Sequence, residues 1–356
     1  MKYLIRLLTT LNILVILALL VTGYSDRADA VAHPLISVMG LAFPVAAALN
    51  GLFLVLWTLI RWRRVWIPML GFIACYAPMW TYCPLNRQTA DVSEADSSRL
   101  LRVTTFNVGN PWTTDDLDTI QQYMEQSDAD IICLQEFVPL QDRATELRKK
   151  IGHKYFGYTI ISSSECIALF SRWPVISHHK IDIISKGNSA AVVILRVRDR
   201  NVGVVMCHLE TNGLSREDKA RFSSTVRGEV GMDDMRSESR TIVGKLMRAA
   251  QIRAAQTDSV VSYAHRILDK NTSVIVCGDF NDSPISPTRR KLTRELTDVY
   301  TAVGRGPGWT YRQHGINVRI GHIFCSPDLE PVSVSIDRNT TFSDHFPMTA
   351  TLRMGD

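Results

Sequence analysis

Residues 274–284 have the sequence VIVCGDFNDSP, an apolar run that ends in a cluster of oxygen-bearing side chains. The β-branched residues and the turn residues that follow them predict a short buried strand. Because Asp279 and Asn281 are two residues apart, an extended chain presents both side chains on one face. A carboxylate and an amide there can help to hold Mg²⁺ or can orient a phosphate and a water. An ordinary polar turn after a strand has the same pattern, so the rest of the chain must decide between the two interpretations.

Three long apolar segments occupy the first part of the 356-residue chain, at residues 7–24, 34–60 and 65–82. About 20 apolar residues cross the core of a bilayer. The sequence therefore predicts three transmembrane helices, the third with little length to spare. A cleaved signal peptide, with Ala28-Asp29-Ala30 as its processing site, is the alternative for the first segment.

Basic residues flank these apolar segments unevenly. Lys2 and Arg6 precede the first segment, whereas Arg61, Arg63 and Arg64 lie between the second and the third. The positive-inside rule therefore places the N-terminus and the 61–64 loop in the cytoplasm. After three crossings, the remainder of the chain is expected on the other side of the membrane.

The composition changes near residue 100, and we predict a membrane anchor at 1–83, a polar linker at 84–100 and a soluble domain at 101–356. Of the 40 Lys and Arg residues eight precede residue 101, and of the 35 Asp and Glu residues five do. The soluble domain thus has a surplus of only two basic residues, whereas a protein that coats nucleic acid usually has a clear basic excess. The seven cysteines include no CxxC pair, and we expect most of them to be unpaired core residues.

Strand patterns and helix patterns alternate in the soluble domain, which is typical of a layered α/β fold. Polar side chains recur where its apolar strands end, and these are Asn107, Glu136, His208, Asp279 with Asn281, and the Asp344-His345 pair. Each is ordinary alone, because a strand-end asparagine usually forms a turn and a lone histidine is usually structural. Five such endings together are harder to explain as turns, since carboxylates at a buried edge are costly unless they pair or bind a metal.

Six short motifs follow one another along the soluble domain, and they are Thr105-Phe106-Asn107-Val108, Leu134-Gln135-Glu136, Ser171-Arg172-Trp173-Pro174, His208-Leu209-Glu210, Gly278-Asp279-Phe280-Asn281 and Ser343-Asp344-His345. In this order and spacing they resemble the motif set of the endonuclease/exonuclease/phosphatase superfamily, and the resemblance covers residues 101–354. The resemblance implies the deoxyribonuclease-I-like fold, an α/β four-layer sandwich in which two central mixed β-sheets are flanked by helices. The arrangement behind three membrane helices is similar to that of membrane-anchored bacterial members. The expected location is therefore the bacterial inner membrane, with the catalytic domain on the periplasmic side.

The same resemblance implies a metal-dependent phosphoester hydrolase and assigns roles to the motif residues. Glu136 would hold Mg²⁺ (or Mn²⁺), with Asn107 beside it and Asp344 as a further ligand or catalytic group. Asp279 and Asn281 would orient the attacking water and the phosphate, and Asp279 is one candidate for the base.

The implied roles of the histidines are less sharply defined. His208 would bind the phosphate or protonate the leaving oxygen, with Glu165 as the residue that orients it. His345 would contact the phosphate or act as the second candidate base. Arg319 belongs to a supporting Arg-Ile-Asp motif whose aspartate orients the histidine of the Ser-Asp-His step.

This Arg-Ile-Asp motif is the one place where the chain departs from the superfamily pattern, because the sequence here is Arg319-Ile320-Gly321. His322 cannot replace the lost carboxylate, since neighbouring residues of a strand face opposite ways. We therefore expect His345 to be poorly oriented and catalysis to be reduced. The alternative is an inactive member that serves as a phosphate-ligand or lipid-binding domain.

The sequence leaves the substrate open among nucleic acid, a phospholipid head group and a small phosphate ester, and it implies no protein partner. Arg289, Arg290, Lys291 and Arg294 follow the central motif and could bind additional phosphates. A helix face that is charged only because it is solvated is the alternative for these four residues.

Overall fold

A computed structural model describes the chain over most of its length. The described residues are 2–87, 98–109, 114–137, 146–147, 149–155, 157–161, 167–185, 187–215, 217–218, 232–313 and 316–355.

The N-terminal part contains two helical segments that are long and apolar enough to cross a membrane. The first is α1 (Lys2–Gly23), and the second spans Pro34–Ile60, which includes α2 (Pro34–Val38) and α3 (Phe43–Ile60). Two such helices are weak evidence for a membrane anchor.

The prediction of a third transmembrane helix is wrong, because residues 65–82 do not form one continuous helix. They form α4 (Trp66–Ala74) and α5 (Tyr76–Tyr82), which are separated at Cys75. Pro78 has no N–H to donate to the carbonyl of Ala74, and Tyr24 Oη donates to that carbonyl instead, at 2.5 Å. Only two helical segments long and apolar enough to cross a membrane are therefore present among the described N-terminal residues.

The interrupted segment runs beside α1 in the same direction. Gly71 packs against Ile16 near the middle of α1, and Gly23 at its end packs against Pro78. The side chain of Arg64, which precedes α4, reaches Thr9 near the start of α1. The chain therefore returns along α4 and α5 to the end of the bundle at which α1 finishes.

The rest of the described chain forms two six-stranded sheets and a small hairpin. The first sheet has the order β13-β14-β1-β2-β4-β3 and the second has the order β5-β6-β7-β8-β12-β9, while β10 and β11 pair with each other. The strands are β1 (Leu100–Asn107), β2 (Ile131–Gln135), β3 (Gly157–Ile161), β4 (Ile167–Ser171), β5 (Val175–Ile181), β6 (Ser189–Val197), β7 (Arg200–His208), β8 (Ser273–Asp279), β9 (Thr297–Asp298), β10 (Tyr311–Gln313), β11 (Ile316–Val318), β12 (Gly321–Cys325), β13 (Leu329–Ile336) and β14 (Met348–Met354).

The two sheets pack face to face, with helices on their outer faces. Apolar residues of both sheets, such as Val103 and Val204, form one core between them. On the outer face of the first sheet, α6 (Thr114–Gln126) packs through residues such as Ile120. On the outer face of the second sheet, α7 (Met232–Leu268) packs through residues such as Val260. This arrangement confirms the four-layer α/β sandwich.

Strand direction gathers the polar strand ends at one edge. β1 is parallel to β2, and β7 is parallel to β8 with His208 opposite Asp279. β14 and β12 run antiparallel to β1 and β8, so their first residues lie beside the last residues of those strands. The six strand ends that carry the motif residues therefore share one side of the sandwich.

The N-terminal helices contact the sandwich at several points. Gly306 N donates to Pro84 O at 2.8 Å, and Asn86 Nδ2 donates to Gly304 O at 2.9 Å. Ile285, which precedes α8 (Pro287–Leu292), packs in a cluster with Leu19 and Phe43. The start of the expected linker is thus bonded to the sandwich, next to α9 (Val299–Val303). The division at 83 and 100 stays a prediction.

Candidate active site

Asn107, at the end of β1, joins the two sheets. Its Nδ2 donates to Glu136 Oε1 and to Asp279 Oδ2, both at 2.9 Å, while its Oδ1 accepts from Gly109 N at 3.0 Å. Ser343 Oγ donates to the Asn107 carbonyl at 2.8 Å. One amide group thereby fixes a carboxylate from each sheet, and it presents nitrogen rather than oxygen to both.

Two of the predicted site residues have a backbone conformation that is uncommon for residues with a side chain. Glu136 has a φ of 55° and Asn281 has a φ of 50°, both in the left-handed region. Such conformations cost on the order of 1–3 kcal/mol and cluster at functional sites. At Glu136 the turn follows directly after β2, so that the carboxylate is directed toward Asn107. At Asn281 the backbone N–H turns back and donates to Asp279 Oδ1 at 2.9 Å.

His208 lies behind Glu136 rather than at the surface. Its Nε2 is 3.6 Å from Glu136 Oε1, and its side chain is only 1% exposed, whereas that of Glu136 is 22% exposed. A substrate outside the sandwich would therefore meet Glu136 before it met His208. The expected role of His208, to bind the phosphate or to protonate the leaving oxygen, stays a prediction.

His345 lies beside both Asp279 and Asp344. His345 Nε2 is 3.7 Å from Asp279 Oδ2 and 3.8 Å from Asp344 Oδ1. The ring of Tyr311 meets the His345 ring edge to face at 4.9 Å. Burial, together with the negative charges of Asp344 and Asp279, raises the pKa of the Tyr311 phenol. Tyr311 is therefore a neutral wall of the site at physiological pH.

Gly321 faces the site, as expected for the position of the missing carboxylate. Its N–H donates to Thr310 Oγ1 at 2.9 Å, and Ile320 N donates to the same oxygen at 3.0 Å. A cavity of about 10 Å³, lined by Gly321, Asp279, His345 and Thr105 among others, lies beside it. This volume is at the lower limit of about 10–15 Å³ for one water molecule.

The neighbouring His322 points away from the site, as strand alternation predicts. Its ring stacks on Phe324 at 5.8 Å, and its Nε2 lies 3.2 Å from Asp282 O. Burial lowers the pKa of His322 to about 4, although the nearby Asp298 opposes that shift. His322 is therefore a neutral core residue and does not substitute for the lost carboxylate.

Arg319 does not support the site residues directly. Its guanidinium donates to Pro307 O at 2.9 Å and to Thr81 O at 2.6 Å, and it lies over the Tyr300 ring at 4.2 Å. Burial lowers the pKa of Arg319 to about 10, and the adjacent Asp298 limits the shift. Arg319 thus connects the start of β12 with the last turn of α5, and its supporting role at the site stays a prediction.

The structure brings together seven of the nine predicted site residues, namely Asn107, Glu136, His208, Asp279, Asn281, Asp344 and His345. Arg319 lies elsewhere, and Glu165 lies outside the described residues. Sequence reasoning did not single out Thr310, which accepts two backbone hydrogen bonds and whose carbonyl accepts from Phe346 N at 2.8 Å. Nothing in the local sequence distinguishes this threonine from any other in a strand-like run.

The charges of the site suit a divalent cation held by few protein ligands. Among the described side chains no group of three His, Cys, Asp or Glu forms a metal cluster. Within the same part of the chain, Glu136, Asp279 and Asp344 form ion pairs only with His208 and His345, and with no Lys or Arg. Mg²⁺ commonly takes one or two carboxylates and keeps several waters. The residues therefore fit such an ion at Glu136, and a ligand role for the Asn107 oxygen would require the amide to be turned over.

Family comparison agrees with this fold. Residues 104–345 match the Endonuclease/Exonuclease/phosphatase family, and residues 5–82 match a family described only as a domain of unknown function. No curated protein sequence matches the chain at a comparable level.

Solved structures share the fold at low sequence identity. Truncated TDP2 of Caenorhabditis elegans is 16% identical, with a TM-score of 0.53 over 71% of this chain and 98% of that one. The endonuclease/exonuclease/phosphatase from Beutenbergia cavernae is 17% identical, with a TM-score of 0.52 over 72% of each chain. TDP2 of D. rerio, solved with a single-strand DNA product, is 15% identical, with a TM-score of 0.52 over 72% of this chain and 99% of that one. The family match covers more than half of the sequence, and the chain belongs to the Endonuclease/Exonuclease/phosphatase family.

Proposed function

We propose that the protein is a membrane-anchored, divalent-metal-dependent phosphoesterase. Members of its family are typically hydrolases that act on phosphoesters. The observation that carries the proposal is the pair of carboxylates, Glu136 and Asp279, which one amide of Asn107 holds together and which no described Lys or Arg neutralises. A divalent cation would supply the positive charge that the chain itself does not provide there, and it would in turn attract the anionic phosphate ester.

In this proposal, Glu136 is the main ligand of Mg²⁺ or Mn²⁺, with Asp344 available beside the substrate. The bound ion would neutralise charge on the phosphoryl oxygens and polarise the ester. Asn107 keeps the Glu136 carboxylate in place through the 2.9 Å hydrogen bond to Oε1. His208, which is buried 3.6 Å behind that oxygen, positions Glu136 from the other side.

Asp279 and Asn281 are the groups proposed to orient the attacking water. Both oxygens of Asp279 accept a hydrogen bond, from Asn107 Nδ2 and from Asn281 N, so the carboxylate is fixed in one orientation. His345 Nε2, 3.7 Å from Asp279 Oδ2, is placed to contact a phosphate oxygen or to move a proton. Because Gly321 supplies no carboxylate, the nearest acidic groups to His345 are Asp279 and Asp344.

Hydrolysis of bis-(p-nitrophenyl) phosphate by the full-length protein in detergent tests the proposal. We expect turnover that requires Mg²⁺ or Mn²⁺, that is lost in EDTA, and that falls at least about a hundredfold in Glu136→Ala. Glu330→Ala is the matched control, because Glu330 is exposed and pairs with Arg353 on β14. Activity that survives Glu136→Ala, or no activity in the wild type with either metal, would overturn the proposal and favour an inactive binding domain.

We place the catalytic domain on the extracytoplasmic side. Lys2, Arg6 and Arg61–Arg64 lie at one end of the helical bundle, and the residues that contact the sandwich lie at the other. With the basic end in the cytoplasm, the two candidate spans and the interrupted segment leave the domain outside. Protease added to intact spheroplasts should then cleave the domain, and cleavage only after lysis would place it in the cytoplasm.

The substrate class is proposed to be a phosphodiester or phosphomonoester that is reachable beside a membrane. Nucleic acid, phospholipid head groups and small phosphate esters satisfy this description. Incubation of the full-length protein with single-stranded DNA, with mixed phospholipid vesicles and with sugar phosphates, each against Glu136→Ala, separates the three. The class whose hydrolysis depends on Glu136 identifies the substrate.

A further inference from the structure

A cleft of about 260 Å³ lies where the N-terminal helices meet the sandwich, and none of the seven residues of the candidate active site lines it. One wall is the segment 26–31, which directly follows the first candidate span, and the other is formed by one face of α7 together with α8 and Arg294. Gln251 Nε2 on α7 donates to Val31 O at 3.3 Å and ties the two walls together. Such a volume greatly exceeds the roughly 10–15 Å³ that one water molecule needs.

The cleft lies at the level of lipid head groups if the proposed membrane anchoring is correct. Segment 26–31 connects α1 with the second candidate span, so it emerges from the apolar layer on the side of the catalytic domain. The inference below rests on this part of the proposed function and not on the chemistry at Glu136.

The lining of the cleft carries both signs of charge, and part of this charge is already paired. Asp26 Oδ2 is 3.4 Å from Arg290 Nη1, and Lys291 Nζ is 2.5 Å from Asp258 Oδ1. These two ion pairs hold the walls of the cleft in place, and within each pair the positive and negative charges cancel. They therefore leave the recognition of a ligand to the polar atoms that remain.

Two groups on the cleft have capacity that the described residues do not use. The buried Oδ1 of Asp26 has no hydrogen-bond partner among them. The exposed guanidinium of Arg294 takes part in no hydrogen bond or ion pair that the structure describes, and Arg27 only lies over the Tyr24 ring at 4.4 Å. A buried carboxylate oxygen without a donor is costly. The cleft therefore lacks a hydrogen-bond donor for Asp26 Oδ1 and an anion for Arg294.

We propose that the cleft binds the head group of an aminophospholipid, which carries a phosphate and a primary ammonium on one short chain. The phosphate would accept hydrogen bonds from Arg294 and Arg27, as guanidinium groups favour. The ammonium would donate to Asp26 Oδ1. A quaternary ammonium has no N–H to donate. An anionic head group such as that of phosphatidylglycerol offers the carboxylates of Asp26 and Asp29 only uncharged hydroxyl donors, which form weaker hydrogen bonds than an ammonium does.

Lipid retention by the full-length protein tests this inference. The Glu136→Ala protein is purified in detergent, so that no head group is hydrolysed, and native mass spectrometry follows the binding of short-chain phosphatidylethanolamine, phosphatidylcholine and phosphatidylglycerol. We expect phosphatidylethanolamine to bind at least about fivefold more tightly than the other two, as one added charge-assisted hydrogen bond allows. Asp26→Asn should abolish that preference, because it removes the carboxylate that selects the ammonium, whereas Arg294→Gln should weaken the binding of all three lipids, because each of them carries the phosphate.

Arg63→Gln is the matched control, because it removes an exposed arginine at the opposite end of the bundle and should leave the preference intact. Arg27→Gln replaces Arg294→Gln if the latter fails to fold. Equal binding of the three lipids, tighter binding of phosphatidylglycerol, a preference that persists in Asp26→Asn, or unchanged affinities in Arg294→Gln would overturn the inference. Because retention is measured without hydrolysis, a wild type that binds the lipid but hydrolyses nothing would contradict the proposed chemistry alone.

Discussion

Asp279 and Asp298 are buried carboxylates on the two strands that flank β12 in the second sheet, and their surroundings differ sharply. Asp279 lies opposite Gly321 and Asp298 lies opposite Phe324. Asp298 Oδ2 accepts from Arg289 Nε at 2.6 Å and from Thr301 Oγ1 at 2.8 Å. Burial alone would raise the pKa of Asp298, but the positive charges of Arg289 and Arg319 lower it.

Asp279, by contrast, accepts hydrogen bonds from neutral donors and has His345 as its ion-pair partner within the described chain. A buried charge that the protein neutralises is part of the scaffold, because its partner would be left uncompensated if it were removed. A buried charge that the protein leaves without a cation of its own is available to a ligand. The difference between the two aspartates thus separates scaffold from site within one sheet.

The largest expected effects come from neutralising each aspartate in turn. Asp298→Asn leaves Arg289 and Arg319 without a buried anion and should lower the free energy of unfolding by about 3–5 kcal/mol. Asp279→Asn should change this free energy by less than about 1 kcal/mol but reduce phosphodiesterase turnover at least about a hundredfold. Urea unfolding and the bis-(p-nitrophenyl) phosphate assay on both variants measure the contrast. The comparison fails if Asp279→Asn is the less stable protein or Asp298→Asn is the less active one at equal folded concentration.

A smaller effect is expected from His322, which borders the Asp298 network. Because burial lowers its folded pKa to about 4 from the usual 6.5, the unfolded chain binds more protons between these two pH values. Stability should therefore be fully present above pH 6.5 and fall as the pH drops toward 4, by up to about 3 kcal/mol.

The matched variant for this prediction is His322→Leu, which replaces the titratable ring between Phe280 and Phe324 by an apolar side chain that cannot bind a proton. The free energy of unfolding is measured in urea at several pH values for both proteins. As the pH falls from 6.5 to 4, that of the wild type should decrease relative to that of the variant. A difference that does not change with pH would show that His322 titrates normally in the folded protein.

The smallest expected effect is a gain of catalysis in Gly321→Asp. A Cβ at this position would lie 3.4–3.6 Å from atoms of Thr310, which is ordinary contact. The new carboxylate would enter the small cavity beside His345 and hold one orientation of its ring. We therefore expect turnover to rise about tenfold. This gain is well below the ~10⁴ in turnover that neutralising the analogous aspartate costs in a serine protease. Gly321→Asn is the control, since it adds the same bulk without charge. Equal rates in wild type and Gly321→Asp, or equal gains in both variants, would show that orientation of His345 does not limit the reaction.

The sequence allowed a better prediction of which residues lie together at the candidate site than of the contacts around that site. Asp279, Glu136 and Asn107 could be placed together because each follows a buried apolar strand, and strand ends of a sandwich meet at one edge. The alternation of side chains along a strand likewise predicted that Gly321 and His322 face opposite ways. The contact of Arg319 with Thr81 could not be predicted, because it joins residues far apart in sequence through a backbone carbonyl that carries no sequence signal.

The N-terminal part shows the same limit. Hydropathy identifies residues 65–82 as apolar, but the interruption at Cys75 depends on Pro78 together with the Tyr24 hydroxyl, which reaches Ala74 O from another helix. For the basic residues after Asp282 the sequence left open whether they bind additional phosphates or form a solvated helix face. Their position against segment 26–31, which makes a cleft of that face, became visible only when the two parts of the chain were packed together.

The most direct test of the account is the effect of Mg²⁺ on the thermal unfolding of the full-length protein. A ligand that binds only the folded state stabilises it by mass action, by about 2.7 kcal/mol at a hundredfold excess over its dissociation constant. We predict that Mg²⁺ raises the Tm of the wild type and of Glu330→Gln by several degrees and leaves that of Glu136→Gln unchanged. An equal rise in Glu136→Gln, or no rise in the wild type, would contradict the claim that the uncompensated carboxylates at Glu136 and Asp279 form a cation site.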